Sequence, residues 1–366
     1  MSLTAGIVGL PNVGKSTLFN AITKKHILAA NYPFATIEPN VGVVMVPDYR
    51  LDFLNELYNP KSLVPTTFEF TDIAGLVKGA STGEGLGNKF LSHIREVDAI
   101  CEVVRCFDDD NIIHVENNVD PIRDIEIIGI ELILADLDIV DTRLSKIEKK
   151  AKMSKDKEAL KEVEILHKLK NCLENNKAVR SLNLDEDELL IIKPYNLLTA
   201  KPIIYVANLS EEEFSNKDNK YLKQVVEYAN GEDAKVISVC AKIEEELCEL
   251  SDEDKRELLQ DLGVDSSGLD KLIKATYSLL GLKTFFTSGK DEVRAWTFKD
   301  GMKAPDCAGI IHTDFKRGFI RAEVMSFSDL EEYKDEKIVK EKGRVRLEGK
   351  DYLMQDGDIC YFRFNV

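Results

Sequence analysis

A glycine-rich segment near the start of the chain, GLPNVGKSTLFN, has the residue types needed to bind phosphate groups. Gly9, Gly14, Lys15 and Ser16 fit the pattern G-x-x-x-x-G-K-[ST]. In this pattern, loop amides and a helix N-terminus direct positive dipoles at phosphate oxygens. Lys15 is expected to reach the β and γ phosphates, and Ser16 to bind Mg²⁺. The predicted nucleotide-binding residues of this loop are Asn12, Val13, Gly14, Lys15, Ser16 and Thr17.

Three later segments carry groups that could act on the same phosphates. NYPFATIEP contains Thr36, a hydroxyl suited to join Mg²⁺ when a γ phosphate is present. The alternating run TTFEFTDIAG contains Asp72, a carboxylate at a strand tip that could hold Mg²⁺ through water. The glycine-rich stretch from Gly75 onward suits a nucleotide-sensing switch, although an ordinary flexible loop has the same composition. Leu76 stands where Ras-like GTPases carry a water-positioning glutamine, so slow intrinsic turnover is expected.

The stretch KPIIYVANLSEEEF predicts a buried strand with polar residues at its tip, where α/β sheets bind ligands. A guanine-binding loop carries Asn-Lys-x-Asp, whereas Asn208 is followed here by Leu209 and, two residues on, by Glu211. Adenine presents an acceptor where guanine presents a donor, so a carboxylate aimed there would meet a lone pair. We therefore expect Glu211 to turn aside, Asn208 to meet the adenine amine with a local backbone group, and ATP to bind more tightly than GTP. The alternative is a surface turn after a core strand.

Two small residues in VISVCAK, Cys240 and Ala241, are expected to let backbone amides approach the base.

The elements that position all these groups follow from hydrophobic patterning. TAGIVGL predicts a buried parallel strand, and KSTLFNAITK predicts the helix that follows the phosphate loop. The fold class is therefore α/β.

Length and composition set further limits on the class of protein. A chain of 366 residues predicts two or three domains. The net charge of -16 argues against nucleic-acid binding by the whole surface, although a local basic face is compatible with it. Seven cysteines without CxxC pairs indicate reduced thiols. Without an apolar run of about 18 residues or a secretory leader, a cytoplasmic protein with no membrane contact is expected. A monomer is also expected.

Two regions outside the nucleotide-binding segments have distinct patterns. From Pro121 to about Leu182 the sequence predicts an antiparallel helical hairpin, with the lysine-rich stretch KKAKMSKDK at its tip. This tip is a candidate RNA or ribosome contact, and a solvated end without a partner is the alternative. From about Gly281 the segments VRAWTF, GIIH, GFIRAEV, RVRLEG and DICYFRF predict the short strands of a small β-rich module.

Taken together, these segments resemble the Obg-related YchF subfamily, also called Obg-like ATPases. The resemblance extends over nearly the whole chain, from GLPNVGKSTLFNAIT through DIAGLVKGAS to GKDYLMQDGDICYF. It implies a P-loop NTPase domain of the Obg type, an inserted antiparallel coiled-coil arm and a C-terminal TGS domain of the β-grasp type. The implied boundaries are 1–120 with 183–280, 121–182, and 281–364. The resemblance also implies ATP as the preferred nucleotide, weaker use of GTP, ribosome or large-subunit association, and a link to stress responses.

Two residue roles come from the same resemblance. His114 in NIIHV matches a residue that is proposed to be catalytic in the family. An imidazole can accept a hydrogen bond from water and orient it, which is the chemistry this role needs. The alternative is a structural histidine. Asn12 matches an asparagine that helps bind K⁺ in cation-dependent relatives, while the alternative is that it only tolerates the loop conformation. The predicted catalytic residues are thus His114, Lys15, Gly75 and Leu76, and the predicted metal ligands are Ser16, Thr36 and Asp72.

Three functions are compatible with these features. The leading hypothesis is an ATP-hydrolysing switch that couples nucleotide state to a ribosome-bound or RNA-bound partner through the arm and the TGS domain. The first alternative is a GTPase of the same fold. The second is a nucleotide-stabilised binding module whose partner function does not need turnover.

Overall fold

The computed structural model describes residues 3–29, 40–74, 85–109, 111–112, 118–154, 156–214 and 218–365. The chain divides into two compact units. The first consists of Met1–Leu28, Thr36–Gly42 and Glu69–Leu272, and the second of Ala29–Ala35, Val43–Phe68 and Ile273–Val366. No helix in the described ranges combines the length and apolar content that crossing a membrane requires.

Strands and helices are numbered in chain order. The strands are β1 (Thr4–Val8), β2 (Val41–Met45), β3 (Ser62–Val64), β4 (Thr67–Asp72), β5 (Ala99–Arg105), β6 (Ile203–Asn208), β7 (Lys235–Val239), β8 (Leu282–Thr287), β9 (Glu292–Lys299), β10 (Phe319–Ser326), β11 (Arg346–Glu348) and β12 (Asp358–Phe364). The helices are α1 (Lys15–Ala29), α2 (Tyr49–Tyr58), α3 (Gly85–Glu96), α4 (Pro121–Ser154), α5 (Lys157–Glu174), α6 (Glu186–Ile192), α7 (Glu211–Phe214), α8 (Lys220–Gly231), α9 (Ala241–Leu247), α10 (Asp252–Asp261), α11 (Gly268–Leu279), α12 (Ala304–Ile311), α13 (Thr313–Arg317), α14 (Phe327–Tyr333) and α15 (Glu336–Glu341).

A six-stranded sheet with the order β2-β4-β1-β5-β6-β7 organises the nucleotide-binding segments. The pairs β1–β4, β1–β5, β5–β6 and β6–β7 are parallel. Every residue of β5 and β6 is buried, as expected for central strands that are covered on both faces. Because parallel strands end at one edge, the segments after β1, β4 and β6 lie along the same edge of the sheet. The predicted α/β fold is confirmed.

The predicted helical hairpin is formed by α4, with 34 residues, and α5, with 18 residues. The two helices pack through a continuous apolar core whose buried members include Val140, Leu144, Ile147, Leu166 and Leu169. Helix α4 continues to Ser154, so the tip between the helices is shorter than the lysine-rich stretch suggested. This hairpin is the inserted coiled-coil arm.

A buried carboxylate anchors the arm to the segment that leads into β6. Asp136 of α4 accepts hydrogen bonds from the backbone amides of Leu198 and Thr199 at 2.8 and 2.7 Å, and from the Thr199 hydroxyl at 2.7 Å. Burial raises the pKa of Asp136, although these hydrogen bonds oppose the shift. The three donors satisfy a carboxylate that would otherwise be costly to bury.

The second unit is built on a sheet with the order β11-β10-β12-β8-β9-β3. The prediction that GIIH forms a strand is wrong, because residues 309–311 are the last turn of α12 and His312 follows it. Ala304, Cys307, Ala308 and Ile311 recur at helical spacing and pack into the core of this unit. The other predicted strands overlap β9, β10, β11 and β12. The module is the C-terminal TGS domain of the β-grasp type.

Candidate nucleotide-binding site

The phosphate loop lies between β1 and α1, and two of its residues have left-handed backbone conformations. Asn12 has a φ of 65° and Gly14 a φ of 94°. A Cβ atom at Gly14 would lie 2.1 Å from the side-chain nitrogen of Asn208. The helix begins at once, since the amide of Leu18 donates to the carbonyl of Gly14 at 3.0 Å. Gly14 is therefore required both for its backbone angle and for its lack of a side chain.

Asn208, at the end of β6, connects the phosphate loop to the start of α9. Its side-chain nitrogen donates to the carbonyl of Val13 at 2.8 Å, and its side-chain oxygen accepts from the amide of Ala241 at 3.0 Å. Only 3% of the residue is exposed. Hydrogen bonds of this kind fix the relative positions of three segments that are far apart in sequence. This connecting role was not predicted, and contact between Asn208 and the adenine amine stays a prediction.

The other residues of the predicted base-binding region lie around Asn208. Leu209 is buried, and its amide donates to the carbonyl of Val239 at 2.8 Å. Glu211 is the first residue of α7, and its carboxylate forms an ion pair with Lys242 at 2.9 Å. The Glu211 carboxylate thus has a partner on α9, which is consistent with the expectation that it turns aside.

Cys240 and Ala241 form the junction between β7 and α9. Both are almost fully buried. Burial raises the pKa of the Cys240 thiol, so this sulfur is a small neutral group rather than a reactive thiolate. The backbone amide of Ala241 donates to the side chain of Asn208, which in turn donates to the carbonyl of Val13 in the phosphate loop. Small size at this junction lets the start of α9 approach the phosphate loop.

Lys15 and Asp72 bring the phosphate loop into contact with the end of β4. The Lys15 ammonium forms a short ion pair with the Asp72 carboxylate. Asp72 is held in register because its amide donates to the carbonyl of Asn40 at 2.8 Å. Ser16 follows Lys15 in the first turn of α1 and is exposed, as is Asn12 in the loop. A predicted phosphate-binding cation and a predicted metal-binding carboxylate therefore lie together at one edge of the sheet.

The donors present at this edge suit a hard divalent cation. The hydroxyl of Ser16 and the carboxylate of Asp72 are oxygen ligands, which Mg²⁺ prefers. Within the described ranges, no group of three or more His, Cys, Asp or Glu side chains is arranged to hold a metal ion. Four predicted site residues lie outside the described residues, namely Thr36, Gly75, Leu76 and His114.

Arg105, at the end of β5, organises the segment that follows it. Its guanidinium donates to the carbonyls of Phe107, Asp109 and Ile112 at 3.0, 3.1 and 3.0 Å. Only 1% of Arg105 is exposed. The sequence offered a signal for this role, because a buried strand that ends in arginine needs acceptors for its donors. Arg105 thus fixes the backbone as far as residue 112, two residues before His114.

Comparisons with known proteins agree with this architecture. A family model described as "50S ribosome-binding GTPase" matches residues 4–209. The model YchF-GTPase_C, described as "Protein of unknown function (DUF933)", matches residues 282–365. The first model covers the phosphate loop and the chain as far as Leu209, and the second covers the C-terminal module.

Full-length relatives and a solved structure give the same assignment. The protein named Ribosome-binding ATPase YchF from Bacillus subtilis (strain 168) is 62% identical over 367 residues, with 100% of both chains covered. The protein of that name from Escherichia coli O157:H7 is 54% identical over 366 residues, again with 100% of both chains covered. The structure titled "Structure of the Schizosaccharomyces pombe YchF GTPase" matches with a TM-score of 0.91 and 44% identity, covering 99% of this chain and 98% of that chain. The phosphate loop, the arm, the C-terminal module and these matches along the whole chain show that it belongs to the YchF family of P-loop NTPases.

Proposed function

We propose that this protein is an ATP-hydrolysing switch that acts on the ribosome. The observation that carries the proposal is the convergence of the phosphate loop, Asp72 and Asn208 at one edge of the sheet. The relatives from Bacillus subtilis and Escherichia coli are named ribosome-binding ATPases, and both match along their whole length. Nucleotide binding would be the task of residues 1–120 and 183–280.

A preference for ATP over GTP follows from the partner of Glu211. A guanine-binding carboxylate must face the ring N–H and the amine of the base. The Glu211 carboxylate instead pairs with Lys242, and Leu209 replaces the lysine of the guanine-binding pattern. Adenine has no ring N–H donor for a carboxylate to accept from, so a site whose carboxylate is paired with Lys242 favours adenine over guanine. GTP would bind more weakly.

Hydrolysis would require Mg²⁺, with Ser16, Thr36 and Asp72 as the protein ligands. When bound, Mg²⁺ would neutralise charge on the β and γ phosphates. Lys15 would exchange its contact with Asp72 for the phosphates. Asn12 would help to hold K⁺ near the phosphates, where a positive charge favours the reaction.

The attacking water would be positioned by His114 rather than by a glutamine. The side chain of Leu76 cannot form a hydrogen bond to water. Gly75 would give the segment around it the conformational freedom to close on a γ phosphate. A His114→Ala variant should retain ATP binding and lose turnover, which equilibrium binding and single-turnover hydrolysis can separate. Unchanged hydrolysis in that variant would remove the catalytic role.

Partner contact would fall to the arm (121–182) and the TGS domain (281–364). At the far end of α4, Met153 is 87% exposed and lies near Lys149 and Lys150. On the TGS domain, Tyr361 is exposed and the Arg363 guanidinium lies 5.9 Å from the centre of its ring. The Arg363 guanidinium also forms an ion pair with Glu323, so the exposed ring of Tyr361 is the group available to stack on an unpaired base of ribosomal RNA.

A GTPase of the same fold is the second candidate, because one matching family model and the fission yeast structure carry that name. Equilibrium binding of Mg-ATP and Mg-GTP, each challenged with the other nucleotide, separates the two candidates. Tenfold tighter ATP binding, about 1.4 kcal/mol, is expected. The reverse preference would mean that Glu211 recognises guanine. Ribosome co-sedimentation of Lys15→Ala then tests whether partner binding needs the nucleotide.

A further inference from the structure

A cavity of about 230 Å³ lies at the root of the arm, between α4, the strands β5 and β6, and the end of α8. It is distinct from the nucleotide-binding residues described above. Its apolar wall is formed by Ile125, Ile130, Leu132, Ile133 and Ile203. Its polar lining includes Glu102, Glu126, Arg180, Tyr205, Tyr228 and Glu232. This cavity combines an apolar wall with convergent polar groups, which is a combination that small-molecule sites use to hold and orient a ligand.

Glu102, in the middle of β5, is the unusual member of this lining. Only 2% of the residue is exposed. Its side chain lines the cavity. Burial raises the pKa of Glu102 well above its usual value. This is the response expected of a carboxyl group that lacks a sufficient counter-charge.

The positive charge nearby is already engaged. Arg180 donates to the Glu232 carboxylate at 3.2 Å and to the carbonyl of Thr199 at 3.4 Å. Tyr205 also donates to Glu232, at 2.8 Å. Among the described residues, the Nε atom of Arg180 is buried without a hydrogen bond. The positive charge of the Arg180 guanidinium is already paired with the Glu232 carboxylate. Three glutamates and one arginine line the cavity, so it favours a cation over an anion.

Gly129 gives an independent indication that the cavity is kept open. It lies in the interior of α4, where glycine costs about 1 kcal/mol relative to alanine. No heavy atom lies within 4 Å of the position of a Cβ at Gly129, so no packing contact requires a glycine there. Gly129 lines the cavity. The absence of a side chain leaves space that a larger residue would occupy.

We propose that this cavity binds a small organic amine, with its ammonium group against Glu102 and its hydrocarbon part against the isoleucine wall. The ammonium would supply a positive charge and hydrogen-bond donors to the buried carboxyl group. Glu126, exposed at the first turns of α4, adds negative charge where a second ammonium group of a diamine would lie. The site is separate from the proposed nucleotide chemistry and needs no nucleotide.

The test is isothermal titration of the full-length protein with putrescine, at constant ionic strength set with NaCl. Constant ionic strength matters because the chain carries a net charge of -16 and attracts cations without specificity. The neutral analogue 1,4-butanediol has the same chain length and no charge. Saturable binding of putrescine and no binding of the diol are expected. Absence of saturable putrescine binding, or equal binding of the diol, would overturn the proposal.

Two variants locate the binding. Glu102→Gln keeps the size of the side chain and removes its charge, and Gly129→Leu fills the cavity with a good helix former. Each should weaken putrescine binding at least tenfold. Glu131→Gln is the matched control, because Glu131 is a buried carboxylate of α4 that does not line the cavity. If Glu102→Gln does not fold, as judged by circular dichroism, Gly129→Leu decides alone. Unchanged putrescine affinity in Gly129→Leu would overturn the proposal.

Discussion

The side-chain amide of Asn208 donates to the carbonyl of Val13 at 2.8 Å, although 195 positions separate the two residues. The same amide group accepts from Ala241. One side chain thus fixes the phosphate loop against the start of α9. In the proposed nucleotide site, the binding of the phosphates and the binding of the base would therefore be linked through a single residue.

Replacing Asn208 with alanine should destabilise the first unit and weaken nucleotide binding. The change leaves a buried carbonyl and a buried amide without partners, at a cost of about 1–3 kcal/mol for each group. Urea unfolding and ATP titration measure the two effects. Asn55→Ala, at an exposed position of α2, is the control and should change neither. Wild-type ATP affinity in Asn208→Ala would show that the two segments are positioned without this residue.

Gly14→Ala should abolish nucleotide binding. The added Cβ would lie 2.1 Å from the Asn208 side chain, and the φ of 94° is unfavourable for alanine as well. Gly301→Ala separates these causes, because Gly301 has a φ of 82° and open space at the Cβ position. In Gly301→Ala the free energy of unfolding should fall by about 1–3 kcal/mol, from the unfavourable backbone angle alone. Equal loss of stability in the two variants would mean that the contact with Asn208 relaxes freely.

Glu211→Asp should shift the selectivity of the site toward GTP. The shorter side chain retracts from Lys242 and restores the carboxylate length of a guanine-binding loop. The measurement is the dissociation constant of ATP divided by that of GTP, and this ratio should rise as the preference moves toward GTP. Lys242→Gln removes the partner and keeps the length of Glu211, so it should produce a smaller shift because the ion pair is exposed. Stronger ATP preference in Glu211→Asp would contradict this account of selectivity.

Arg105→Lys should lower turnover more than it lowers ATP affinity. Lysine retains the charge, but its single ammonium group cannot reach three carbonyls spread over residues 107–112. The segment that leads to His114 should then lose its fixed path. Single-turnover hydrolysis and ATP titration separate the effects on the chemical step and on binding. Arg344→Lys, at an exposed ion pair, is the control. Wild-type turnover in Arg105→Lys would show that this segment does not affect catalysis.

ATP turnover should be faster in K⁺ than in Na⁺ at equal ionic strength. Asn12 is exposed in the phosphate loop, with a φ of 65°, and precedes the first residue of α1. Asn12→Ala should remove the difference between the two cations while retaining Mg²⁺ dependence. Steady-state phosphate release in matched chloride salts checks both statements. If the wild-type protein hydrolysed ATP at the same rate in K⁺ and in Na⁺, the K⁺ hypothesis would fail, and Asn12 would only accommodate the backbone conformation of the loop.

The sequence predicted those parts of the fold that depend on local patterns. The phosphate loop follows from a short sequence motif. The two arm helices and most strands of the C-terminal module follow from hydrophobic periodicity over a few residues. GIIH was misassigned because a short apolar run fits a strand and the buried turn of a helix equally well, and packing of Ile311 decides between them.

The candidate site was predictable as a set of residue types but not as a set of contacts. The hydrogen bonds from Asn208 to Val13 and Ala241 join segments far apart in the chain, so no local pattern contains them. The ion pair between Glu211 and Lys242 depends likewise on how α7 and α9 approach each other. Glu102 was overlooked because a single glutamate in an apolar strand gives no hint of the cavity that surrounds it.

The length of α4 has a mechanical consequence. With 34 residues and a rise of 1.5 Å per residue, the helix is about 50 Å long. Its first turns border β5 and the cavity, while its distal half packs on α5. Asp136 fixes α4 to the segment before β6, and from Asp136 to Ser154 the helix extends about 27 Å. A tilt of about 5° beyond this anchor would displace the far end of the arm by about 2 Å. The anchor therefore shortens the lever that the arm could form.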